Sequence, residues 1–372
     1  MKRKIWFIIV LALTFVGSLF LFACDGAADN GETDEKGYTV TFNTYGGTAV
    51  QNQSIEEGAT ATEPTGKVER AGYIFDGWDY DFTTPVTEDI TVNAILKPVF
   101  TNTGSRIDGF TEDGLTVYDV VIPETLLDGT QITSVKASAF MGKLNIVFLT
   151  ISDTVTTIGE HAFSSCVNLV KITLGRNVST INNNAFGSMS KLSEIYNRSS
   201  LELHKGNYSE YGSIAYPVKN IYTDDEGESK LVVSAEGHIT IAAKDSSDND
   251  QVFYVGYLGG ESEIVIPEDV TWVYYDACAY NTVITSVVIG DNVKTVSGRA
   301  FDQCTNLSVV TIGENVTSLG QYAFRDCTLT SATFKVATGW AVQSLSMEGK
   351  LSDPATAATW LHSYYAYNWT RS

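Results

Sequence analysis

The sequence predicts a mainly β chain: a solenoid of 23-residue repeats, preceded by a small β module and closed by a short C-terminal helix. Three observations carry this. The dipeptide Ala-Phe begins at residues 139, 162, 185, 300 and 323, every step within each run being 23, and self-similarity at a fixed period marks a stacked architecture. Segments such as YTVTFN and VVTI alternate with the two-residue rhythm of strands. A composition of 44% hydrophobic residues with 7 prolines over 372 residues is too apolar for disorder and too long for one core, so two or three ordered modules are expected.

Residues 1–23 open on Lys2, Arg3 and Lys4 and continue with a mostly apolar run to Ala23, the pattern of a secretory signal. The ending Leu21-Phe22-Ala23-Cys24 resembles the lipobox of bacterial lipoproteins, with Phe22 a departure from the usual small or branched residue. The resemblance implies that the Cys24 thiol takes a diacylglycerol as a thioether and that cleavage before it frees an amine. An uncleaved membrane anchor is the alternative, because the apolar run approaches the span of a bilayer. Either reading puts the rest of the chain outside the cytoplasmic membrane. Residues 24–37, with five acids and three glycines, read as a solvated acidic tether.

Residues 38–100 form the small β module. YTVTFNTYGG is a strand running into a turn at Gly46 and Gly47, and GYIFDGW and DITVNAIL are two further strands. Together with the Gly58 turn and TPVTEDIT, these segments resemble the Listeria–Bacteroides repeat, the B-repeat family of internalin-like surface proteins. Ile95 and Leu96 stand where that family usually has a Lys-Trp pair. The resemblance implies a β-grasp-like domain. Trp78 and Phe75 read as core residues of a small sheet rather than as a platform for sugars.

The repeats occupy residues 105–195 and 263–340. Val155, Val178, Val270, Val293 and Val316 form one apolar column, and Ile158, Ile181, Val273, Val296 and Leu319 a second. A third runs through Ile151, Leu174, Ile266, Ile289 and Ile312, and a fourth through Leu149, Ile172, Ile195, Ile264, Val287 and Val310. Each unit supplies a short strand, a turn and a compact segment around Ala-Phe, which no unit buries alone and stacked units bury together. NLVKITLGRNVSTINNNAF and NLSVVTIGENVTSLGQYAFRDC resemble the BspA-like, Treponema-type leucine-rich repeat. That resemblance implies adhesion to host proteins or to other cells.

Residues 196–262 lose the register, yet Ala185 and Ala277 lie four periods apart. The expectation is a β-rich insertion or a set of degenerate repeats that keeps the solenoid continuous. In the C-terminal cap, residues 341–372, Ser352-Asp353-Pro354 starts a helix. Its Ala357, Ala358 and Leu361 fall on one face as a lid for the last repeat.

Charge and residue supply exclude several functions. With 44 acidic against 24 basic side chains, the chain lacks the clustered Lys and Arg that nucleic-acid binding needs. His161, His204, His238 and His362 show no metal-ligand spacing, so neither a metal nor another cofactor is expected. Asp245, Asp248 and Asp250 lie in a polar turn that lacks the glycine and distant Glu of a calcium loop. No paired carboxylates, GxSxG, phosphate loop or Cys-His pair sits in a catalytic context, so the chain is read as non-enzymatic. Cys166, Cys304 and Cys327 share one repeat column and Cys278 stands in the Phe column; inward thiols of this kind pack reduced more often than they pair.

Binding is expected on the outward positions of the strands, which alternate with the inward columns. One outward column reads Thr150, Thr173, Tyr196, Val265, Val288, Thr311 and Phe334, and the next Phe148, Lys171, Glu194, Glu263, Ser286 and Val309. Phe148 and Tyr196 are the candidate anchors for a protein or glycan partner, with Lys171 and Glu194 beside them to set specificity. The expected function is that of a lipid-anchored bacterial surface protein that adheres to host or neighbouring cells. The rival is a carbohydrate-capture lipoprotein serving a transport system.

Overall fold

The computed structural model describes residues 37–216, 218–223, 229–245 and 247–372. The signal segment, Cys24 and all but the last residue of the tether lie outside the described residues.

In the N-terminal module the strands stand in the order Gln53–Glu56, Gly37–Asn43, Ile90–Pro98, Tyr73–Trp78. The central pair is parallel, Val40 facing Ile90, and the outer pairs are antiparallel. Alternation in YTVTF sends Tyr38, Val40 and Phe42 to the buried face. Trp78 meets Phe42 and Phe75 edge-on at ring separations of 5.1 and 5.3 Å, which makes it core. Ala61 and Val68, from the connection between the second and third strands, close that core.

A hairpin, Phe100–Thr103 with Arg106–Phe110, leads into the solenoid. Each repeat then contributes a strand of three or four residues to one ladder and, in most units, a two-residue strand to another. In the first block the long ladder runs Asp119–Ile122, Phe148–Ile151, Lys171–Leu174, Glu194–Asn197, Asn220–Thr223, all parallel. The short ladder runs from the hairpin through Ser134–Val135 and Thr157–Ile158 to Thr180–Ile181. The Ala-Phe segments form a third wall held by rung-to-rung backbone bonds: Phe163 N–H donates to the Ala185 carbonyl and Phe301 N–H to that of Ala323, both at 2.8 Å. This wall turns tightly through two left-handed residues per repeat, such as His161 and Ser165 (φ 56° and 61°) or Arg299 and Gln303 (φ 58° and 56°). L-residues adopt that conformation at a cost that the stacked rungs offset.

The predicted columns are the core. Phe140, Phe163 and Phe186 stack at 5.1 and 5.3 Å, and Phe301 and Phe324 at 5.4 Å. The four described cysteines are free and buried. Cys166 Sγ donates to the Phe140 carbonyl at 3.1 Å, Cys304 to that of Cys278 at 3.0 Å and Cys327 to that of Phe301 at 3.1 Å. Each thiol in this column therefore bonds to backbone one rung away, and burial pushes Cys166 and Cys327 up to about 12.

Between the two blocks of repeats the ladders are interrupted. Residues 198–223 make one stretched turn, in which Ile214 and Ala215 enter the first core and Asn220–Thr223 extends the long ladder. Residues 231–257 then form an antiparallel meander, Leu231–Val233, His238–Lys244 and Asp250–Tyr257. The meander starts a new short ladder through Trp272–Val273, Thr295–Val296 and Ser318–Leu319. Among the described residues no strand of the first block pairs with one of the second. The two blocks have separate cores, joined where Val147 and Val170 pack on Ile239, Ile241, Phe253 and Val255.

At the C-terminus Asp353 caps the helix Pro354–Ser363, accepting from Thr356 N–H at 2.8 Å, and Ala357, Ala358 and Leu361 are buried against the last repeat. The sequence did not announce Trp369–Arg371, which pairs antiparallel with Ser318–Leu319 on one side and with Trp340–Val342 on the other, so that the parallel rungs of the short ladder stop at Ser318–Leu319. Trp369 is 2% exposed; its indole fills the core that a parallel ladder otherwise leaves open.

Candidate partner-binding surface

The outward face of the first long ladder is built by register. Asp119, Phe148, Lys171, Glu194 and Asn220 lie abreast on successive strands, and Val121, Thr150, Thr173, Tyr196 and Tyr222 form the neighbouring column. The structure thus brings Phe148, Lys171, Glu194 and Tyr196 onto one face. Lys171 Nζ sits 4.7 Å above the Tyr196 ring, and Tyr196 lies against Tyr222 at a ring separation of 5.0 Å with the planes tilted by 31°. Tyr222 escaped the sequence reading, although Asn-Ile-Tyr-Thr at 220–223 echoes Glu-Ile-Tyr-Asn at 194–197. The eroded spacing of 26 residues between them hid it.

Glu194 departs from the expected role. It is 0% exposed, because its carboxylate accepts from Ser229 Oγ at 2.7 Å, Lys230 N–H at 2.9 Å and Tyr222 OH at 3.4 Å. Burial, then the neighbouring Glu194 charge, pushes the Tyr222 phenol up to about 12. Glu194 therefore pins the segment that enters the meander, and Leu231–Val233 passes along the ladder. Between them lies a groove of about 290 Å³, walled by Phe148, Thr150, Lys171 and Thr173 on one side and by Leu231 and Val233 on the other. Val232 and Val233 are exposed and Phe148 is half-buried.

Phe334 also departs from its expected column. Ser331 faces Val309, so Phe334 pairs with Ile312 and the outward rung beside Thr311 is Thr333. The last unit is one residue short, and a slip of one moves a side chain to the other face of a sheet. Phe334 is 6% exposed and packs edge-on to Trp340 at 5.4 Å.

Two lysines of the first block reach into the second. Lys191 Nζ donates to Asn168 Oδ1 at 2.8 Å and to the Ala277 carbonyl at 2.9 Å, and burial lowers its pKa to about 8. Lys219 Nζ lies 4.9 Å over Phe253 and 4.7 Å over Tyr274. These ties join the first block to the second.

Residues 122–215 and 259–339 match the model of the BspA type leucine-rich repeat region in six copies, and residues 38–95 match the Listeria–Bacteroides repeat domain. The chain carries BspA-type leucine-rich repeats. Similar solved structures include a leucine-rich repeat protein from Bacteroides capillosus, 24% identical over 35% of this chain and 99% of that one, with a TM-score of 0.28. A leucine rich cell surface protein from Faecalibacterium prausnitzii is 17% identical over 64% of this chain and 89% of its own, with a TM-score of 0.24. The leucine-rich repeat protein of T. pallidum is 18% identical over 62% and 87% of the two chains, with a TM-score of 0.20. No curated protein matches the chain. In this leucine-rich-repeat protein the surface just described offers hydrophobic, aromatic and cationic contacts. No cluster of three or more potential metal ligands occurs among the described residues.

Proposed function

We propose that this leucine-rich-repeat chain is a non-enzymatic bacterial surface protein that binds a protein on host or neighbouring cells. The contact surface in this reading is the groove between the first long ladder and Leu231–Val233. One observation carries it. Exposed Val232 and Val233 lie along a strand whose outer edge has no pairing strand among the described residues, beside the half-buried Phe148 and the Lys171–Tyr196 pair. Unpaired strand edges with apolar neighbours suit an extended segment of another protein. Phe148 and Tyr196 supply the anchors in this reading, and Lys171 orients charge at the rim.

The test is capture of host matrix proteins by the form lacking residues 1–23, compared with Phe148→Ala combined with Tyr196→Ala. The double variant should lose at least tenfold in capture, about 1.4 kcal/mol, with circular dichroism and melting temperature near wild type. Undiminished capture by the folded variant overturns the assignment.

The anchor proposed for this surface protein is a lipid on Cys24, since acyl chains hold a protein at a membrane only when two or more act together. Growth with a labelled fatty acid should tag the wild type and leave Cys24→Ala unlabelled; label on the variant rejects the lipoprotein reading. No helix among the described residues is long and apolar enough to cross a membrane.

A further inference from the structure

A second surface, on the other block, has a different chemistry. The short ladder of the second block presents Trp272, Thr295, Ser318 and Thr370 outward on four successive rungs. Beside them runs a groove of about 740 Å³. Its floor carries no side chains at Gly298 and Gly320, because the rungs approach too closely there: a Cβ on Gly320 would lie 2.3 Å from Gly298 N. Its flanks are aromatic. The Tyr275 ring lies over Gly298 and is 50% exposed. Trp272 is fixed at one end by its indole N–H, which donates to Ser297 Oγ at 2.7 Å, and by Phe253 at a ring separation of 5.7 Å.

Several polar side chains of this groove are unspent. Among the described residues the hydroxyls of Thr295, Ser318 and Thr370 and the side-chain amide of Gln321 make no hydrogen bond, and Asn368 uses only its oxygen, accepting from Gln321 N–H at 3.0 Å. No acid lines the groove in a chain of net charge −20. The one charge on its wall, Arg299, is paired with the buried Asp276 at 2.8 Å. The groove is therefore near neutral, rich in free hydroxyls and amides, and flanked by fixed rings.

We propose that this groove binds a neutral oligosaccharide. A pyranose presents C–H faces that stack on aromatic rings and a rim of hydroxyls that both donate and accept, the two kinds of contact available here. A sugar unit is about as long as the rung spacing of about 4.8 Å, so four rungs hold a chain of three or four units, three of the rungs offering a hydroxyl and the fourth the Trp272 ring. An extended peptide fits less well. The backbone of this ladder is paired on both sides, by Asp250–Tyr257 and Trp369–Arg371, and offers no free edge, and Val296 is the one aliphatic side chain on the wall. The site is separate from the groove on the first block and stands or falls independently of it.

Calorimetric titration of the full chain with gluco-, manno-, galacto- and N-acetylglucosamine hexaoses, an oligogalacturonate and a neutral ten-residue peptide tests this. At least one neutral hexaose should bind. Tyr275→Ala should weaken it tenfold or more, and Ser318→Arg, which places a long side chain across the half-exposed rung, should do the same with an unchanged melting temperature. Trp272→Phe separates stacking from structure: heat of binding should persist while the ligand-induced change in indole fluorescence is lost. Failure of every neutral hexaose to bind, or binding undiminished in both Tyr275→Ala and Ser318→Arg, overturns the proposal. Preferential binding of the peptide or of the oligogalacturonate also overturns it.

Discussion

At the residue scale, the inward columns hold because the chemistry of each position is set by alternation alone. Val, Ile and Leu recur every 23 residues and are buried with few exceptions. Lys191 shows what such periodicity cannot convey. Its position looks like any polar residue in a turn, and only the arrival of the second block buries it. Its folded pKa of about 8 lies below the ordinary 10.5, so between these values the unfolded chain holds more protons than the folded one. The contribution of Lys191 to stability therefore rises with pH across that window. Between pH 7 and 9.5 the wild type should gain on the order of 2 kcal/mol relative to Lys191→Met in urea melts. A difference that stays constant over this range means that the ammonium is not desolvated. Glu194 carries the same lesson with opposite sign. Its outward register was legible, and its burial under Ser229 and Lys230 was not.

At the scale of elements, strands and caps were readable wherever a local signal existed. The Asp353 cap and Pro354 announced the helix, and the two-residue rhythm announced the long strands of the units that keep the 23-residue register. The misplacement of Phe334 came from extending a 23-residue ruler across a unit of 22. Register in a sheet is all or nothing, and one deletion exchanges the solvent and core faces. Trp369–Arg371 had no such signal, being three residues long and paired with a strand some 50 positions earlier. Tyr222 lay within reach, since its strand repeats the residues of its neighbour. The groove flanked by Trp272 and Tyr275 was not: neither ring falls in one of the repeat columns, and the openness of its floor follows from the close stacking of Gly298 and Gly320.

At the scale of the molecule, two stacked cores meet across a small third cluster. A repeat array exchanges contacts only with its neighbours, so a break in the ladder is a break in cooperativity. Phe163→Ala and Phe301→Ala, both at fully buried positions, should each cost about 3–5 kcal/mol. In scanning calorimetry Phe163→Ala should lower one transition and Phe301→Ala another. If both lower a single shared transition, the blocks unfold as one unit and the junction is stronger than its contacts imply. The sequence by itself determined the β class, the 23-residue period, the four apolar columns and the closing helix, because these depend on residue spacing within a unit or between adjacent units. Tertiary structure alone decided that the solenoid is two blocks, that Glu194 and Lys191 serve the junction between them, and that Leu231–Val233 walls a groove on a ladder formed tens of residues earlier. Those outcomes depend on where a chain with no periodic signal comes to rest, and that is fixed by the burial of surfaces distant in sequence rather than by any local pattern.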